Sequence, residues 1–283
     1  MSKLYLISVR KTYVLYSLII ISVIAIGIEV FFLSGFFDKD AAKGASLQST
    51  YSATDNSGGK LAIVIDDFGQ SRAGVQEMMQ IDRHLTFAIM PFLEFSRSDA
   101  ETAYERGHEV IVHLPMEPNY GKLSWLGPRP IMAGMSKGMV EELVRDAFEK
   151  VPYAVGANIH MGSKASSDPT IIDGILDIIK EKNLYFVDSR TAAKPICKKI
   201  ADTKGVRCFE RDIFIDEGRS KEEIKKQLQK CEEVVLKKGM AIAVGHVGTE
   251  GGKATANAIL EMLPEFDSKN IQLVFVSELP DDR

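Results

Sequence analysis

Short, almost continuous apolar runs alternate with helix-like segments from about residue 60 to the end of the chain. Continuous apolar runs bounded by turn residues are typical of strands that are buried on both faces of a parallel sheet. The candidate strands are residues 61–66, 85–90, 109–114, 154–159, 184–187, 206–215 with an internal break, 240–245 and 271–276. The pattern therefore predicts an α/β domain.

Helix start signals lie between these runs. Asp168 followed by Pro169 is an N-cap with proline at the first helical position, and it predicts a helix over 170–182. Ser220 and Glu223 form a capping box at the start of another helix. Regular alternation of strands and helices predicts parallel β/α units with right-handed crossovers. Seven or eight such units fit a closed or nearly closed barrel better than an open doubly wound sheet, which is the alternative.

The N-terminal pattern is different. Three basic residues precede an almost wholly apolar run over 12–37, which is interrupted mainly by Glu29. The run is longer than the core of a signal peptide and about long enough to span a bilayer. It predicts an uncleaved inner-membrane anchor over 1–37, with a cleaved signal as the alternative. The basic residues should stay cytoplasmic, which would place the following domain on the periplasmic side.

Residues 38–60 are rich in serine, threonine, alanine, glycine and aspartate and show no apolar period. This composition predicts a flexible tether between the membrane anchor and a barrel domain over 61–283.

Charge and cysteine content exclude several classes of protein. The formal net charge of −4 over 283 residues gives no electrostatic case for binding nucleic acid. Cysteine occurs three times, without the spacing of a thiolate zinc site or a disulfide framework. A single bridge is left open among Cys197, Cys208 and Cys231.

Two adjacent carboxylates, Asp66 and Asp67, follow the first apolar run and precede a turn at Gly69. Chemistry in parallel α/β folds gathers at the carboxyl ends of strands. Asp66 and Asp67 are therefore candidates for a site, although a helix cap and a solvent-facing side chain would explain them equally well.

Polar residues also stand at the ends of later strands. His113, His160 and His246 end the third, fourth and seventh candidate strands, and Asp188 ends the fifth. Each one alone is more simply a core histidine or a paired carboxylate. Together they would meet on one rim of a barrel, where two imidazoles and a carboxylate form a catalytic zinc site with an open position for water. A second carboxylate beside the ligands would be the general base.

Three stretches resemble a known family. Ile65-Asp66-Asp67-Phe68-Gly69 resembles the first motif of the polysaccharide deacetylase superfamily. The segments GHEVIVHLPMEP (107–118) and HMGS (160–163) resemble the divergent polysaccharide deacetylase branch. The resemblance extends from about residue 60 to the C-terminus and implies a distorted β/α barrel that holds a divalent metal, usually Zn²⁺.

The resemblance also implies roles for individual residues. Asp66 would be the catalytic base and Asp67 a metal ligand. The second motif of the superfamily has two histidines separated by three residues, whereas this chain has His113 and Glu117. His160 is then the candidate that completes the metal triad.

The remaining assignments concern the leaving group and the departures from the motifs. His246 would be the acid that protonates the departing amine, and Asp188 would orient or tune a neighbouring catalytic group. Glu117 could be a fourth ligand, an alternative base or an ion-pair partner of Lys164. The arginine-containing third motif has no clear counterpart in the chain.

The segment 119–135 follows a metal-bearing strand end and contains Tyr120 and Trp125. It could form a sugar-stacking lip, or its aromatic side chains could simply pack against the barrel. Ser163, in the motif after the fourth strand, is a third candidate substrate-binding residue.

These features predict a membrane-anchored, metal-dependent hydrolase that removes acetyl groups from N-acetylated envelope polysaccharide. Two alternatives stay open: a catalytically silent glycan-binding or scaffold protein on the same barrel, and a metal hydrolase of another bond.

Overall fold

A computed structural model describes residues 58–249 and 251–281 of the chain. All the strand pairs in this part of the protein are parallel. The strands are β1 (Lys60–Phe68), β2 (Thr86–Ile89), β3 (Glu109–Met116), β4 (Gly156–Met161), β5 (Tyr185–Asp188), β6 (Cys208–Glu210), β7 (Ile213–Phe214), β8 (Met240–His246) and β9 (Gln272–Val274). They correspond one by one to the predicted runs, and the break predicted within 206–215 separates β6 from β7.

The strands form one curled sheet in the order β6-β5-β4-β3-β2-β1-β8-β7. Its two edge strands are joined by only two residues, Arg211 and Asp212. Arg211 N donates to the carbonyl of Asp188 on one side, and Asp212 N donates to the carbonyl of Ile242 on the other. The sheet is therefore barrel-like, and the open doubly wound alternative does not describe it.

The curl of the sheet is irregular at β1, where β9 lies beside the start of the strand. β8 pairs with β1 along nearly its whole length. On the other edge, β9 pairs with Lys60–Ala62, whereas β2 pairs only from Val64 onward. β9 therefore separates the start of β1 from β2.

Seven α-helices connect the strands in the described residues: α1 (Val75–Met79), α2 (Ser96–Glu105), α3 (Lys137–Lys150), α4 (Pro169–Glu181), α5 (Cys197–Lys204), α6 (Lys221–Lys238) and α7 (Lys253–Ser268). The predicted caps are confirmed. Asp168 accepts a hydrogen bond from Thr170 N at the start of α4, and Ser220 accepts one from Glu223 N at the start of α6.

Strand side chains divide between two apolar clusters. The larger cluster combines strand and helix residues and fills the space between the sheet and the helices. The smaller cluster comes from the strands and the C-terminal segment, and includes Val64, Ile111, Val187 and Val244. Because successive strand side chains alternate between faces, the smaller cluster marks the residues that point into the curl.

The three cysteines are buried and free, so none forms a disulfide in this structure. The predicted anchor, and the tether up to residue 57, lie outside the described residues. Within 58–249 and 251–281, no helix is long and apolar enough to cross a membrane.

Candidate metal centre and active site

The end of β1 presents two carboxylates to the same space. Alternation along the strand points Asp66 into the curl, in line with Val64, and would turn Asp67 toward the helices. The register against β2 shifts between Ile65 and Phe68, and Asp67 has a φ of 71° in the left-handed region. This irregularity redirects the Asp67 side chain to the mouth of the curl. Such a backbone conformation costs about 1–3 kcal/mol and is typical of functional sites.

Asp67, His113 and His160 converge at this mouth, as predicted. Asp67 Oδ1 lies 3.3 Å from His113 Nε2 and 3.0 Å from His160 Nδ1, and the two nitrogens are 3.2 Å apart. Asp67 Oδ1 is buried and has no hydrogen-bond partner among the described residues. One oxygen and two imidazole nitrogens within 4.8 Å of one another fit a divalent cation with an open position.

Neighbouring groups set both imidazole tautomers. His113 Nδ1 donates to Asn158 Oδ1 at 2.7 Å, and Asn158 Nδ2 donates to Asp66 Oδ1 at 2.7 Å. His160 Nε2 lies 3.3 Å from the carbonyl oxygen of Trp125, which can only accept. In each histidine the other nitrogen, which faces Asp67, is therefore unprotonated and has a lone pair that can bind a metal. Hydrogen bonds to the far nitrogen are the usual way in which neighbouring residues fix the tautomer of a metal ligand.

Asn158 was missed from the sequence. It is fully buried in the middle of β4, two residues before His160 and on the same face. We expect Asn158→Ala to weaken Zn²⁺ binding about 10- to 100-fold, because His113 loses the acceptor that fixes its tautomer and ring orientation. Competition with a chromogenic chelator would measure the affinity. Asn257→Ala, at an exposed position of α7, is the matched control and should bind like the wild type. Equal affinities for both variants would contradict this role.

The two aspartates differ in proton affinity. Burial raises the pKa of Asp66 above its ordinary value, against the opposing effect of His113 and His246. Burial also acts to raise the pKa of Asp67, but the His113 and His160 rings, when protonated, overcome this effect by hydrogen bonding and positive charge and hold that pKa well below its usual range. A carboxyl that stays ionised suits a metal ligand, and one with a raised pKa suits proton transfer.

His246 ends β8 opposite Asp66, its register partner on β1. Its Nδ1 donates to Asp216 Oδ1 at 2.8 Å, and its backbone N donates to Asp216 Oδ2 at 2.6 Å. Thr255 Oγ1 also donates to Asp216, at 2.9 Å. Burial alone would lower the pKa of His246, but the bond to Asp216 and the charges of nearby carboxylates raise it to about 9.

Asp216 was also missed. It stands two residues after Phe214, so it follows an apolar strand in the same way that Asp66 follows β1. The signal that could have found it is a carboxylate directly after the predicted 206–215 run.

A cavity of about 600 Å³ opens over these groups. Its lining residues include Asp66, Asp67, His113 and His160 as well as Asp216 and His246. Trp125 and Phe214 contribute aromatic surface, and the Trp125 side chain is half exposed. The chemistry-bearing residues of at least four strands therefore face one space large enough for a sugar unit.

Asp188, for which an orienting role was predicted, is not among the residues that line this cavity. It is buried at the end of β5, where Val187 points into the curl and Asp188 therefore points toward the helices. Its Oδ1 accepts a hydrogen bond from the backbone N of Arg190 at 2.7 Å. Asp188 thus organises the turn after β5.

Glu117 is the ion-pair partner of Lys164, one of the three roles considered for it. Its Oε1 lies 2.6 Å from Lys164 Nζ, and its Oε2 accepts from Ala133 N at 2.9 Å. It is not among the three converging donors or the cavity lining. The ligand and base roles therefore find no support in the geometry.

Of the three predicted substrate-binding residues, only one lines the cavity. Trp125 lines the cavity. Tyr120 is 92% exposed and lies outside the lining. Ser163 Oγ accepts a hydrogen bond from Asn119 N at 2.9 Å and is likewise outside the lining. Ser163 holds the start of the segment that carries Trp125.

Comparison with known proteins agrees with this architecture. A model of the divergent polysaccharide deacetylase family matches residues 63–280. An uncharacterized protein of Haemophilus influenzae is 34% identical over 244 residues, which is 85% of this chain and 84% of that protein. The uncharacterized protein YibQ of Escherichia coli K12 is 34% identical over 193 residues, 66% of this chain but only 58% of YibQ.

The fold is also found in a solved structure. The crystal structure of an uncharacterized protein from Agrobacterium tumefaciens C58 superposes with a TM-score of 0.71 at 21% identity, and the match covers 85% of this chain and 92% of that one. The family match spans nearly the whole described part of the chain, including every residue of the candidate metal centre. The chain therefore belongs to the divergent polysaccharide deacetylase family.

Proposed function

We propose that this protein is a metal-dependent hydrolase that removes acetyl groups from N-acetylated polysaccharide of the cell envelope. One observation carries the proposal: the Asp67, His113 and His160 donors share a cavity with two separate proton-transfer groups, Asp66 and His246. Amide hydrolysis needs a base for water, an acid for the amine and a means of stabilising an oxyanion. The family supports a glycan as the substrate.

Asp67, His113 and His160 would hold the metal. We propose Zn²⁺, because imidazole nitrogens and a carboxylate oxygen with an open position are typical of catalytic zinc. When bound, the cation would supply Lewis-acid polarisation of the acetamide carbonyl and a lower pKa for water.

Asp66 and His246 would move the protons. Asp66, with its raised pKa, takes a proton from the attacking water, and Asn158 holds its carboxylate in place. His246, kept protonated by Asp216, donates a proton from Nε2 to the departing amine. The products are acetate and a free amino sugar. Trp125 offers a face on which a pyranose ring can stack.

Acetate release tests this function directly. The full chain, purified in detergent, should release acetate from N-acetylglucosamine oligomers, lose the activity on chelation and regain it with Zn²⁺. Binding of the oligomers without acetate release would favour the catalytically silent glycan-binding protein. Metal-dependent hydrolysis of a different bond, with no acetate, would favour the third alternative.

The alkaline limit of activity provides a second test. His246 donates its proton only while protonated, so the rate should fall as the pH rises through the pKa of His246, which is about 9. Asp216→Asn removes the charge that raises this pKa, while burial continues to lower it. We expect the alkaline limb of the kcat profile to move at least about one pH unit lower in the variant. An unmoved limb would contradict the assignment of His246 as the acid.

We also propose that residues 1–37 anchor the protein in the inner membrane with the barrel-like domain on the periplasmic side. The support is the basic and apolar pattern of the sequence. Membrane fractionation and protease access to the domain in spheroplasts would test it. A processed chain in the soluble periplasmic fraction would favour a cleaved signal.

A further inference from the structure

Residues 118–130, named the tryptophan loop here, leave and rejoin the sheet at one point. Glu117 N donates to the carbonyl of Ile131 at 2.9 Å, and Ile131 N donates to the carbonyl of Pro115 at 2.8 Å. The base of the loop is therefore closed by ladder hydrogen bonds at the carboxyl end of β3. The strand that supplies His113 thus leads directly into the loop.

Glu117 ties this base to two further segments. Its carboxylate binds Lys164 Nζ and the backbone N of Ala133, and only 14% of its side chain is exposed. Its carbonyl oxygen accepts from Lys164 N at 3.1 Å and from Ala165 N at 3.0 Å. Both carboxylate oxygens are used, so Glu117 connects β3, the chain beyond the loop and the segment after β4.

The far part of the loop contacts the metal centre. The carbonyl oxygen of Trp125 lies 3.3 Å from His160 Nε2, and the Trp125 side chain lines the cavity. Leu126, the next residue, is fully buried and fixes this part of the loop to the protein. One residue therefore contacts a candidate metal ligand through its backbone and the substrate space through its side chain.

We propose that Glu117, paired with Lys164, is a positioning residue that anchors the tryptophan loop over the metal centre, so that metal binding and glycan contact at Trp125 are coupled. This inference deepens the proposed function and rests on it for the identity of the ligand. A carboxylate at the position where the superfamily has a second motif histidine thus serves the loop and not the ion.

The coupling has a simple physical basis. Asp67, His113 and His160 would hold the cation, and its coordination to His160 Nδ1 would keep the Nε2–H directed at the Trp125 carbonyl. A sugar stacked on Trp125 would hold the same residue through its side chain. As long as Glu117 and Lys164 anchor the loop, each ligand then favours the loop position that the other contacts, and the two affinities must rise by the same factor.

Trp125 is the only tryptophan of the chain, so its fluorescence reports on this loop alone. The experiment uses the full chain in an Asp66→Asn background, which leaves the metal ligands intact and is expected to slow turnover about 10²- to 10⁴-fold. Zn²⁺ is titrated with and without N-acetylglucosamine oligomer, and the oligomer with and without Zn²⁺. The same titrations follow for Glu117→Gln and for Lys164→Met, which breaks the pair from its exposed side. Glu261→Gln is the control, because Glu261 pairs with Lys221 and Lys225 on the helical surface.

In the background chain we expect Zn²⁺ to change Trp125 fluorescence, and each ligand to tighten the other about fivefold or more. Glu117→Gln and Lys164→Met should weaken Zn²⁺ binding about 3- to 10-fold, at or below the range for loss of an outer-shell partner, and bring the coupling factor close to one. The Glu261→Gln control should resemble the background. Thermal melts followed by circular dichroism identify any variant that fails to fold, and the other member of the pair then decides.

Two results would overturn the inference: Trp125 fluorescence that does not respond to Zn²⁺ in the background chain, or coupling that survives in both pair variants. Failure of the proposed function is seen separately. Coupling that Glu117→Gln abolishes, in a chain whose Asp66-containing form releases no acetate, would support the anchored loop and reject the deacetylase. Acetate release by the Asp66-containing chain, with coupling that is unchanged in the Glu117→Gln and Lys164→Met variants, would support the deacetylase and reject the anchored loop.

Discussion

Asp66→Asn is expected to lower the rate of acetate release about 10²- to 10⁴-fold, the usual contribution of a general base. Asparagine has the same shape and can still accept the hydrogen bond that Asn158 now donates to Asp66 Oδ1 at 2.7 Å. It cannot take a proton from water at neutral pH. The loss should therefore appear in kcat, with little change in KM, in steady-state assays on N-acetylglucosamine oligomers.

Measuring the metal content of Asp66→Asn distinguishes the loss of a general base from the loss of the metal. Asp66→Asn should retain Zn²⁺, because Asp66 is not among the three converging donors. Asp82→Asn, at an exposed position, controls for the loss of a carboxylate and should keep full activity. An Asp66→Asn protein with near wild-type kcat would remove Asp66 from the mechanism and leave the base unassigned.

Asp67→Asn is expected to remove the metal and, with it, the activity. Asp67 Oδ1 is the only charged donor of the cluster, and the surrounding imidazoles hold the pKa of Asp67 well below its usual range. Asparagine is chosen over alanine because it tolerates the left-handed backbone at this position, where φ is 71°. The loss of Zn²⁺ affinity should exceed the roughly 10- to 100-fold typical of an outer-shell change.

The two adjacent aspartates control for each other. Both substitutions remove one buried or half-buried carboxylate from β1, yet only Asp67→Asn should lose Zn²⁺ in metal analysis of the purified chain. Equal Zn²⁺ retention by the two variants would show that Asp67 is not a ligand, and the proposed metal centre would then fail.

Several features of the site could be read from the sequence because they depend on short-range patterns. The rim residues were identified from the apolar run that leads into Asp66 and Asp67 and from the histidines near the carboxyl ends of β3, β4 and β8. A parallel β/α pattern places all such ends on one side. Three of the predicted residues, Asp67, His113 and His160, indeed lie within hydrogen-bonding distance of one another.

Asn158 and Asp216 were missed for different reasons. Asn158 lies within a strand, where a buried amide has no distinguishing pattern until its partners are known. Its partners, His113 and Asp66, are 45 and 92 residues away in the chain. Asp216 follows β7, a strand of only two residues, which is too short to give a clear pattern in the sequence.

Asp188 illustrates the limit of reasoning from strand ends. Its position at the end of β5 was predicted correctly, but a strand end does not indicate which face of the sheet its side chain takes. A shift of one residue reverses the direction of a strand side chain. Val187 occupies the inward position, so Asp188 faces the helices and binds the backbone of Arg190.

The sequence by itself determined the parallel α/β class, the strands and their order along the chain, and the rim on which the candidate site residues lie, since these follow from local periodicity and capping. Only the tertiary structure decided which side chains face each other. Because Asp67 has a left-handed backbone, its carboxylate faces the cavity, whereas regular alternation along β1 would have turned it toward the helices. Glu117 pairs with Lys164 and does not join the candidate metal ligands. Both outcomes depend on backbone geometry and on contacts between distant segments, which no local pattern encodes.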